Sequence, residues 1–507
     1  MQLSVRRLLS LGLLATALPA TVCGANRSSM LRTVVTTDLE QDDLASLIRY
    51  LLYTNELDTQ AIIYSSSRYH WSGDGNGTKF FLPDREYSSP QWAWRWTGTR
   101  TLQDKVLPAY AEIWPNLNNH DPSYPTPDEL ASLIKIGNIN FEGEMELDTE
   151  GSDLIRSLIL DDDPRTLYLQ AWGGTNTIAR ALKSIEDEYS GGSQWNETRD
   201  AVVKKTVILA SGFQDETYAN YISLQWPQIR VEQLEPGYTT WGYNCNKGQG
   251  NTRGRSTGDN LYFTGKWMKA HIQTGPLGRL YRSWIDGQSM AGDAQDIFGS
   301  AATANQSAFC KALEPYAFLS EGDNVVFNPL LTTGLQNPAN PSLGGWGGRS
   351  YQNSTSPNLW VMVSSEKNKA GVEVDDYTTD RWAGAAQNDF AARMQWTLTP
   401  KYSSANHPPS VTILNGTTVE AQAGTTVTLA GNVSDPDSNN VTTTWWQFFE
   451  EGTYPGNVTV TEVGDDQAEV EIPTDAQTSE TVSIIFEGTD DGQFPLTRYG
   501  RVFIRIV

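Results

Sequence analysis

Apolar positions before residue 400 follow two patterns that alternate along the chain. Helical spacing, with apolar residues three and four apart, occurs in DLASLIRYLLY (43–53) and TNTIARALKSIEDEY (175–189). Between and before these stretches lie short β-rich runs: TVVTT (33–37), TQAIIYS (59–65), RTLYLQAW (165–172), KKTVILAS (204–211) and NLWVMVSS (358–365). Strands that alternate with helices predict an α/β fold, in which a mostly parallel sheet is covered by helices on both faces.

Beyond residue 410 the pattern changes to short strands separated by Gly, Asn, Asp and Pro. These runs are SVTILNG, TTVTLAG, VTTTWWQFF, QAEVEIPT, TVSIIFEGTD and GRVFIRIV. About 100 residues of this kind fit an antiparallel sandwich of immunoglobulin size. The Ser-, Asn- and Pro-rich segment before them resists both helix and sheet. We therefore predict an α/β domain over 26–402, a linker over 403–409 and an immunoglobulin-like β-sandwich over 410–507.

The N-terminus has the pattern of a secretory signal peptide. Arg6 and Arg7 precede an apolar run over 8–18, and small residues follow it. A membrane anchor is one alternative, although the run is too short to span a bilayer. A bacterial lipoprotein attached through Cys23 is another. We predict that residues 1–25 are cleaved and that the protein is secreted and extracellular, with no membrane partner.

Composition narrows the classes of partner. The 507 residues carry a formal net charge of -23 at pH 7, so we expect no nonspecific binding to nucleic acid or anionic lipid. Cys245 and Cys310 remain after signal cleavage, and they could form one disulfide or stay as two thiols. Sequons of the N-x-S/T type predict a glycoprotein. They begin at Asn26, Asn76, Asn196, Asn305, Asn353, Asn415, Asn432, Asn440 and Asn457.

Four carboxylates crowd the turn between the first predicted strand and the first predicted helix: Asp38, Glu40, Asp42 and Asp43. In open parallel sheets, ligands bind beyond the carboxyl ends of the strands, where this turn would lie. Helix capping requires only one acid, and four neighbouring acids repel one another unless a cation or a proton offsets them. A solvated acidic turn is the alternative to a metal or catalytic site. Because no His or Cys lies nearby, the oxygen ligands favour calcium or magnesium over zinc.

The stretch VVTTDLEQDDLASL resembles the N-terminal aspartate cluster of nucleoside hydrolases, which reads D-x-D-x-G-x-D-D after the first strand. Asp38, Asp42 and Asp43 match the last three acids, whereas Thr36 and Glu40 replace the first Asp and the turn Gly. LYLQAWGGTNTIARAL is similar to the second motif, a strand followed by G-P-L-T-N and a helix. RYLLYTNELDTQAII, EGDN and GGWGGRS extend the resemblance to one branch of secreted proteins. That branch combines a nucleoside hydrolase-like domain with a C-terminal sandwich and is described as cellulose-binding.

The resemblance implies a calcium site. Asp38 and Asp43 would bind the ion, Thr175 would add its backbone carbonyl, and Asp323 in SEGDNVVF would complete the site. Asp38 would also accept a proton from the attacking water, because calcium lowers the pKa of a water molecule and orients it. Nearby anions would stabilise the oxocarbenium character of the attacked carbon.

The resemblance also implies substrate contacts, with two departures. Asp42 would hold sugar hydroxyls, and Asn176 of the matching T-N pair would contact the substrate. Gly322 stands before Asp323, where nucleoside hydrolases usually have a His that assists departure of the base. The usual asparagine after the second strand is absent from YSSSRYHW. We therefore expect leaving-group chemistry that differs from that of a purine or pyrimidine base.

Positions beyond the predicted strand ends add further candidates for substrate contact. His70 and Asp215 follow strands, and Glu321 lies in the EGDN stretch. Their alternatives are a packed His70, a helix-capping Asp215 and a solvated Glu321. Trp92 and Trp94 stand two apart, so on a strand they would share one face and could stack on sugar rings. Core packing or a folded loop is the alternative for this pair.

Two hypotheses from different classes follow. The first is a secreted calcium-dependent hydrolase of glycosyl bonds, acting on a glycan fragment, a glycoside or a nucleoside-like molecule. The second is a non-catalytic protein that binds cellulose or another plant polysaccharide on an inactive hydrolase scaffold. The acids Asp38, Asp42 and Asp43 favour the first hypothesis, and the missing His and the abundant aromatic residues favour the second.

Overall fold

The computed structural model describes residues 27–235, 262, 264–282, 321–368, 371–464 and 466–507. The predicted signal peptide, the three cysteines and the sequons at Asn26 and Asn305 lie outside these residues, so the expectations about them stay predictions. Among the described helices, none has the length and apolar character needed to cross a membrane.

An eight-stranded sheet organises the first part of the chain, in the order β3-β2-β1-β4-β5-β6-β8-β7. All neighbouring strands are parallel except β7 and β8 at one edge. This confirms the predicted mostly parallel sheet. Its strands are β1 (Leu31–Thr37), β2 (Leu57–Tyr64), β3 (Ile134–Ile136), β4 (Leu167–Ala171), β5 (Thr206–Ser211), β6 (Arg230–Leu234), β7 (Ser350–Gln352) and β8 (Leu359–Met362). A separate hairpin follows, formed by β9 (Ser365–Lys367) and β10 (Glu373–Asp375).

Helices cover both faces of this sheet. The neighbouring β1 residues Val35 and Val34 point to opposite faces, into two separate apolar clusters. Helices α1, α2 and α12 contribute to the cluster of Val35, and α4, α5 and α6 to that of Val34. The helices of the described chain are α1 (Gln41–Leu51), α2 (Leu107–His120), α3 (Pro127–Leu133), α4 (Glu150–Leu160), α5 (Asn176–Tyr189), α6 (Trp195–Lys205), α7 (Ser223–Gln225), α8 (Gly265–His271), α9 (Gly275–Gly278), α10 (Asn324–Phe327), α11 (Tyr377–Asp380) and α12 (Ala383–Trp396).

Two four-stranded sheets form the C-terminal part, in the orders β11-β13-β16-β15 and β12-β18-β17-β14. Alternating residues such as Leu429, Ile484 and Val502 are buried between them. The pairs are antiparallel except β12 with β18, so the predicted sandwich is present with one parallel pair. Its strands are β11 (Ser410–Ile413), β12 (Thr418–Ala421), β13 (Thr426–Ser434), β14 (Val441–Gln447), β15 (Thr459–Gly464), β16 (Gln467–Glu471), β17 (Thr481–Asp490) and β18 (Thr497–Ile506).

The sandwich is packed against the α/β part. Phe448 and Tyr499 are buried in the same apolar cluster as Trp382, which lies just before α12. Arg498 Nη1 donates to Asp389 Oδ2 of α12 at 2.8 Å. The two parts therefore share apolar and charged contacts, which a freely moving C-terminal module would lack.

The segment predicted as a linker, 403–409, is docked onto the protein. The carbonyl of Asn406 accepts a hydrogen bond from Trp396 Nε1 at 2.8 Å. The buried ring of His407 stacks on Tyr402 at 3.6 Å and is hydrogen-bonded to His120 at 2.9 Å. The lack of strand in this segment fits its Ser-, Asn- and Pro-rich composition, whereas these long-range contacts were not visible in the sequence.

Candidate functional site

The carboxyl ends of the central strands meet at one edge of the sheet, where the predicted site lies. Asp38 follows β1, the turn 65–70 follows β2, and Gly173 follows β4. Asp323 arrives at the same edge as the residue before α10. Its charge acts on Asp43 at the start of α1, so the structure brings the early and late acids together.

Asp38 is held by one of its carboxylate oxygens and presents the other. Ser67 Oγ donates to Asp38 Oδ2 at 2.5 Å, and His70 Nδ1 lies 3.3 Å from the same oxygen. Asp38 Oδ1 is buried and has no hydrogen-bond partner among the described residues. A Cβ on Gly173 would come within 2.8 Å of this oxygen, so the glycine keeps the space beside it open. The oxygen is therefore suited to bind a cation or to accept a proton from water.

The start of α1 fixes two further carboxylates. Thr37 Oγ1 donates to Asp43 Oδ1, and Asp42 Oδ1 accepts the backbone N–H of Asp43 at 3.1 Å. Glu40 caps the helix by accepting its first backbone N–H. Leu39, between β1 and the helix, has a φ of 41°. A positive φ is costly for a residue with a side chain, and such strain is kept mainly where function or surroundings require it.

Gly322 explains why the chain lacks a histidine before its late aspartate. A Cβ on Gly322 would lie 2.0 Å from Asp42 Oδ2, so any side chain here would displace that carboxylate. The next backbone N–H, from Asp323, donates to Ser46 Oγ of α1 at 3.1 Å. Asp323 Oδ2 is buried without a hydrogen-bond partner in the described chain. The glycine thus allows α1 and the Asp323 turn to approach each other closely.

The electrostatics of these acids favour a cation. Burial, followed by the charges of Asp38, Asp323 and Asp42, raises the pKa of Asp43 well above its ordinary value. Burial and the charges of Asp42 and Asp38 likewise raise the pKa of Asp323. One oxygen each of Glu40, Asp42 and Asp43 also lies within 4.8 Å of the other two. Because all the donors are oxygens and two are buried without partners, the residues fit a hard divalent cation.

Thr175, Asn176 and Asp215 form a buried network beside this cluster. Asp215 accepts the Asn176 backbone N–H at 3.1 Å and the Thr175 hydroxyl at 3.2 Å, and burial raises its pKa. The Asn176 amide nitrogen donates to Ser66 Oγ at 2.9 Å. The Thr175 carbonyl accepts the N–H of Ala179 at 2.9 Å, as expected in the first turn of α5. These contacts show how the network positions the start of α5, and the assigned metal and substrate roles stay predictions.

Glu321 is a structural residue, which corrects its assignment to substrate binding. Arg49 donates to its two oxygens at 2.6 and 2.9 Å, Tyr281 donates at 2.6 Å and Asn324 at 2.7 Å. Its side chain is fully buried. Four donors occupy the carboxylate, so Glu321 anchors the turn before Asp323. The sequence did not reveal this role because Arg49 lies 272 positions away.

Trp92 and Trp94 do not share one face of a strand, contrary to the expectation from their spacing. They lie in an irregular loop, where Trp94 forms a bridge with Trp71 and is buried against Tyr87. Trp92 is 61% exposed, and Lys79 Nζ lies 4.6 Å from its ring centroid. Trp94 therefore packs the loop, and only Trp92 of this pair offers a ring to a ligand.

Two family models match the chain over the two parts described above. The model for "Cellulose-binding Sde182, nucleoside hydrolase-like domain" matches residues 32–351. The model for "Cellulose-binding protein Sde0182, C-terminal domain" matches residues 426–506. Among curated protein sequences, none gives a match.

The chain is also similar to solved structures. A nucleoside hydrolase-related hypothetical protein from Saccharophagus degradans, associated with carbohydrate metabolism, is 25% identical, with a TM-score of 0.68. The alignment covers 94% of this chain and 100% of that chain. A plant nucleoside hydrolase, PpNRh1, is 10% identical over 72% of this chain and 98% of its own, with a TM-score of 0.33. The type III effector XopQ, complexed with adenosine diphosphate ribose, is 10% identical over 73% of this chain and 95% of its own, also with a TM-score of 0.33. The last two likenesses are too weak to carry an argument.

Proposed function

Because the chain belongs to the family of cellulose-binding Sde182 proteins with a nucleoside hydrolase-like domain, we propose that it is a secreted calcium-dependent hydrolase of glycosyl bonds. Its substrate would be a glycan fragment, a glycoside or a nucleoside-like molecule. The observation that carries the proposal is the difference between the two carboxylate oxygens of Asp38. Ser67 donates to its Oδ2 and His70 Nδ1 lies 3.3 Å from the same oxygen, while Oδ1 is buried with no hydrogen-bond partner in the described ranges.

The proposed calcium ligands are Asp38, Asp43 and Asp323, with the carbonyl of Thr175. Calcium usually takes about six to eight oxygen ligands, so water or substrate oxygens would complete the set. The raised pKa values of Asp43 and Asp323 support this assignment, because a cation would offset the repulsion that causes part of the shift. When bound, the ion would supply Lewis acidity and lower the pKa of the attacking water.

The chain's own residues would then divide the remaining work. Asp38 Oδ1 accepts a proton from water while the water oxygen bonds to the anomeric carbon. The bond from that carbon to the leaving atom breaks, and the leaving atom, an oxygen in a glycoside or a nitrogen in a nucleoside-like substrate, takes a proton from solvent. Asp42, which is only half-buried, accepts hydrogen bonds from sugar hydroxyls. The surplus negative charge of the cluster stabilises the oxocarbenium character of the transition state.

Substitution of Asp38 tests the proposal. Asp38→Asn keeps the shape and one oxygen but cannot accept the proton, so turnover should fall about 100- to 10,000-fold while substrate binding is mostly kept. The matched control is Asp104→Asn, because Asp104 is an exposed acid paired with Arg100. A screen of glycosides and nucleosides with both variants gives the measurement. Turnover that survives Asp38→Asn unchanged contradicts the mechanism.

A second candidate function is polysaccharide binding without catalysis. The exposed ring of Trp92 favours it, since an exposed aromatic ring can stack on a sugar. In this case the wild type hydrolyses none of the compounds in the screen. Trp92→Ala then reduces retention on cellulose, whereas Asp38→Asn leaves retention unchanged. Trp94→Ala is not a clean test of this function, because Trp94 is buried in the loop.

A further inference from the structure

A cavity lies between the α/β part and the sandwich, and its lining includes none of the carboxylates Asp38, Asp42, Asp43 and Asp323. Its volume is about 650 Å³, and it opens between the α11–α12 region and strands β14, β17 and β18. This volume is within the range of roughly 300–1,000 Å³ that is typical of small-molecule sites. Because both parts of the chain contribute walls, the cavity exists only while the sandwich is docked.

One wall of this interdomain cleft is aromatic and fixed in place. Trp382 lies 6.0 Å from Trp446 and 5.6 Å from Tyr499, measured between ring centroids. Trp446 is half-buried, and its Nε1 donates to Glu487 Oε2 at 3.0 Å, which sets the plane of the indole. Arg381 lies against the same rings, 5.1 Å from Trp382 and 5.5 Å from Trp446. A rigid aromatic face of this kind suits the C–H face of a pyranose ring.

Polar groups face the same space. Glu487, Asn388 and Thr489 line the cleft together with the rings. An amide, a hydroxyl and a carboxylate offer both donors and acceptors, as the hydroxyl groups of a sugar require. Arg381 is already paired with Glu450 at 3.3 Å. The cleft therefore lacks the surplus positive charge that an anionic sugar would need, and a neutral ligand fits better.

We propose that the interdomain cleft binds a neutral saccharide of a few pyranose units, with Trp446 as its stacking platform. This site is separate from the proposed hydrolytic site and from Trp92, and binding there does not depend on Asp38. It would give the docked sandwich a direct part in glycan binding. A polysaccharide chain bound in this cleft would also keep the α/β part close to that polysaccharide.

Titration of the full-length protein with cellotriose and xylotriose tests this proposal. Asp38→Asn serves as the background, because it stops turnover during the measurement and leaves the cleft intact. In that background Trp446→Ala should weaken binding of at least one trisaccharide about tenfold or more, because it removes the ring on which the sugar stacks. Tyr351→Ala is the matched control, because Tyr351 is an exposed aromatic residue outside the cleft.

A second variant covers the case in which loss of Trp446 disturbs the domain interface. Ala385→Phe keeps every polar and aromatic group of the cleft but fills its space, because Ala385 is a half-buried lining residue. It should also abolish saccharide binding at the cleft. Wild-type affinity in both variants, or no trisaccharide binding by the background protein, overturns the proposal. Failure of the hydrolysis proposal would appear separately, as absence of turnover in the wild type with cleft binding retained.

Discussion

Two clusters of buried charge differ in how their carboxylates are balanced. In the interdomain cluster, Asp389 accepts from Arg393 and Arg498, each at 2.8 Å. In the sheet-edge cluster, Asp43 and Asp323 are equally buried, but their charged neighbours in the described chain are other aspartates. In the first cluster the arginines balance the charge of the carboxylate, whereas the second cluster carries surplus negative charge.

The pKa shifts of the same residue type show the consequence. Burial alone would raise the pKa of Asp389, but Arg498 and Arg393 hold it below its ordinary value. Burial and like charges instead raise the pKa of Asp43 and that of Asp323. A buried carboxylate with arginine partners stabilises the fold, whereas a buried group of carboxylates without them favours a cation. This difference in pKa shifts is the physical basis for giving Asp389 a structural role and for proposing a cation site at Asp43 and Asp323.

The largest expected effect is a loss of stability when Asp389 no longer balances the charge of Arg393 and Arg498. Asp389→Asn removes a charge that two buried arginines require, so we expect a loss of about 3–5 kcal/mol in the free energy of unfolding. Chemical denaturation of the full chain provides the measurement. Asp104→Asn, at an exposed pair, should cost no more than about 1 kcal/mol. Equal losses in the two variants would mean that the buried network does not hold the two parts together.

The docked segment next to this cluster should make the protein sensitive to acid. Burial, with the charges of His120 and Arg393, lowers the pKa of His407 from 6.5 to about 3. Unfolding therefore takes up a proton as the pH falls below 6.5, and stability is lost at up to about 1.4 kcal/mol per pH unit from this group. His407→Phe keeps an aromatic ring for the stack on Tyr402 but cannot bind a proton.

The melting temperature of both proteins between pH 6.5 and 5 tests this prediction. The variant should start lower, since it loses the ring's hydrogen bonds to His120 at 2.9 Å and to Asp437 at 3.0 Å, but its melting temperature should decline less steeply with acid. Identical slopes would show that His407 does not carry the acid sensitivity.

The smallest expected effect is a gain in stability, and it comes from a substitution in the sheet-edge cluster. In calcium-free buffer, Asp43→Asn removes one charge from a repulsive group and should raise stability by roughly 0.5–2 kcal/mol. The folded-state pKa of Asp43 lies above 3.8, so the calcium-free protein loses stability as the pH rises through that raised pKa. The gain should therefore be larger at pH 8 than at pH 5 in thermal melts. A loss of stability in this variant at both pH values would remove the contrast with Asp389.

Much of the fold could be predicted because its signals are local. The alternation of β-rich runs and helical spacing predicted β1, α1, β4 and α5, and the change of pattern after residue 410 predicted the sandwich. The docking of His407 could not be predicted in this way. It depends on contacts with His120, which is 287 positions away. Long-range packing of this kind leaves no periodic trace in the sequence.

The candidate site likewise contains residues that the sequence predicted and residues that it did not. Asp38, Asp42 and Asp43 were predicted from one short motif, and the structure brings Asp323 to them. Ser67, which holds Asp38, was not predicted, although the serine run after β2 was a signal for it. The roles of other candidates depend on partners that spacing alone cannot identify, as the ion pair of Glu321 shows.

Calcium dependence of the melting temperature tests the central claim most directly. Protein purified without chelator should contain calcium, and chelation should lower its melting temperature. Re-added calcium should restore it, because a ligand at 100 times its Kd stabilises the folded state by about 2.7 kcal/mol. Asp323→Asn should weaken this response, and Asp104→Asn should leave it unchanged. A metal-free wild type whose melting temperature ignores added calcium would contradict the account.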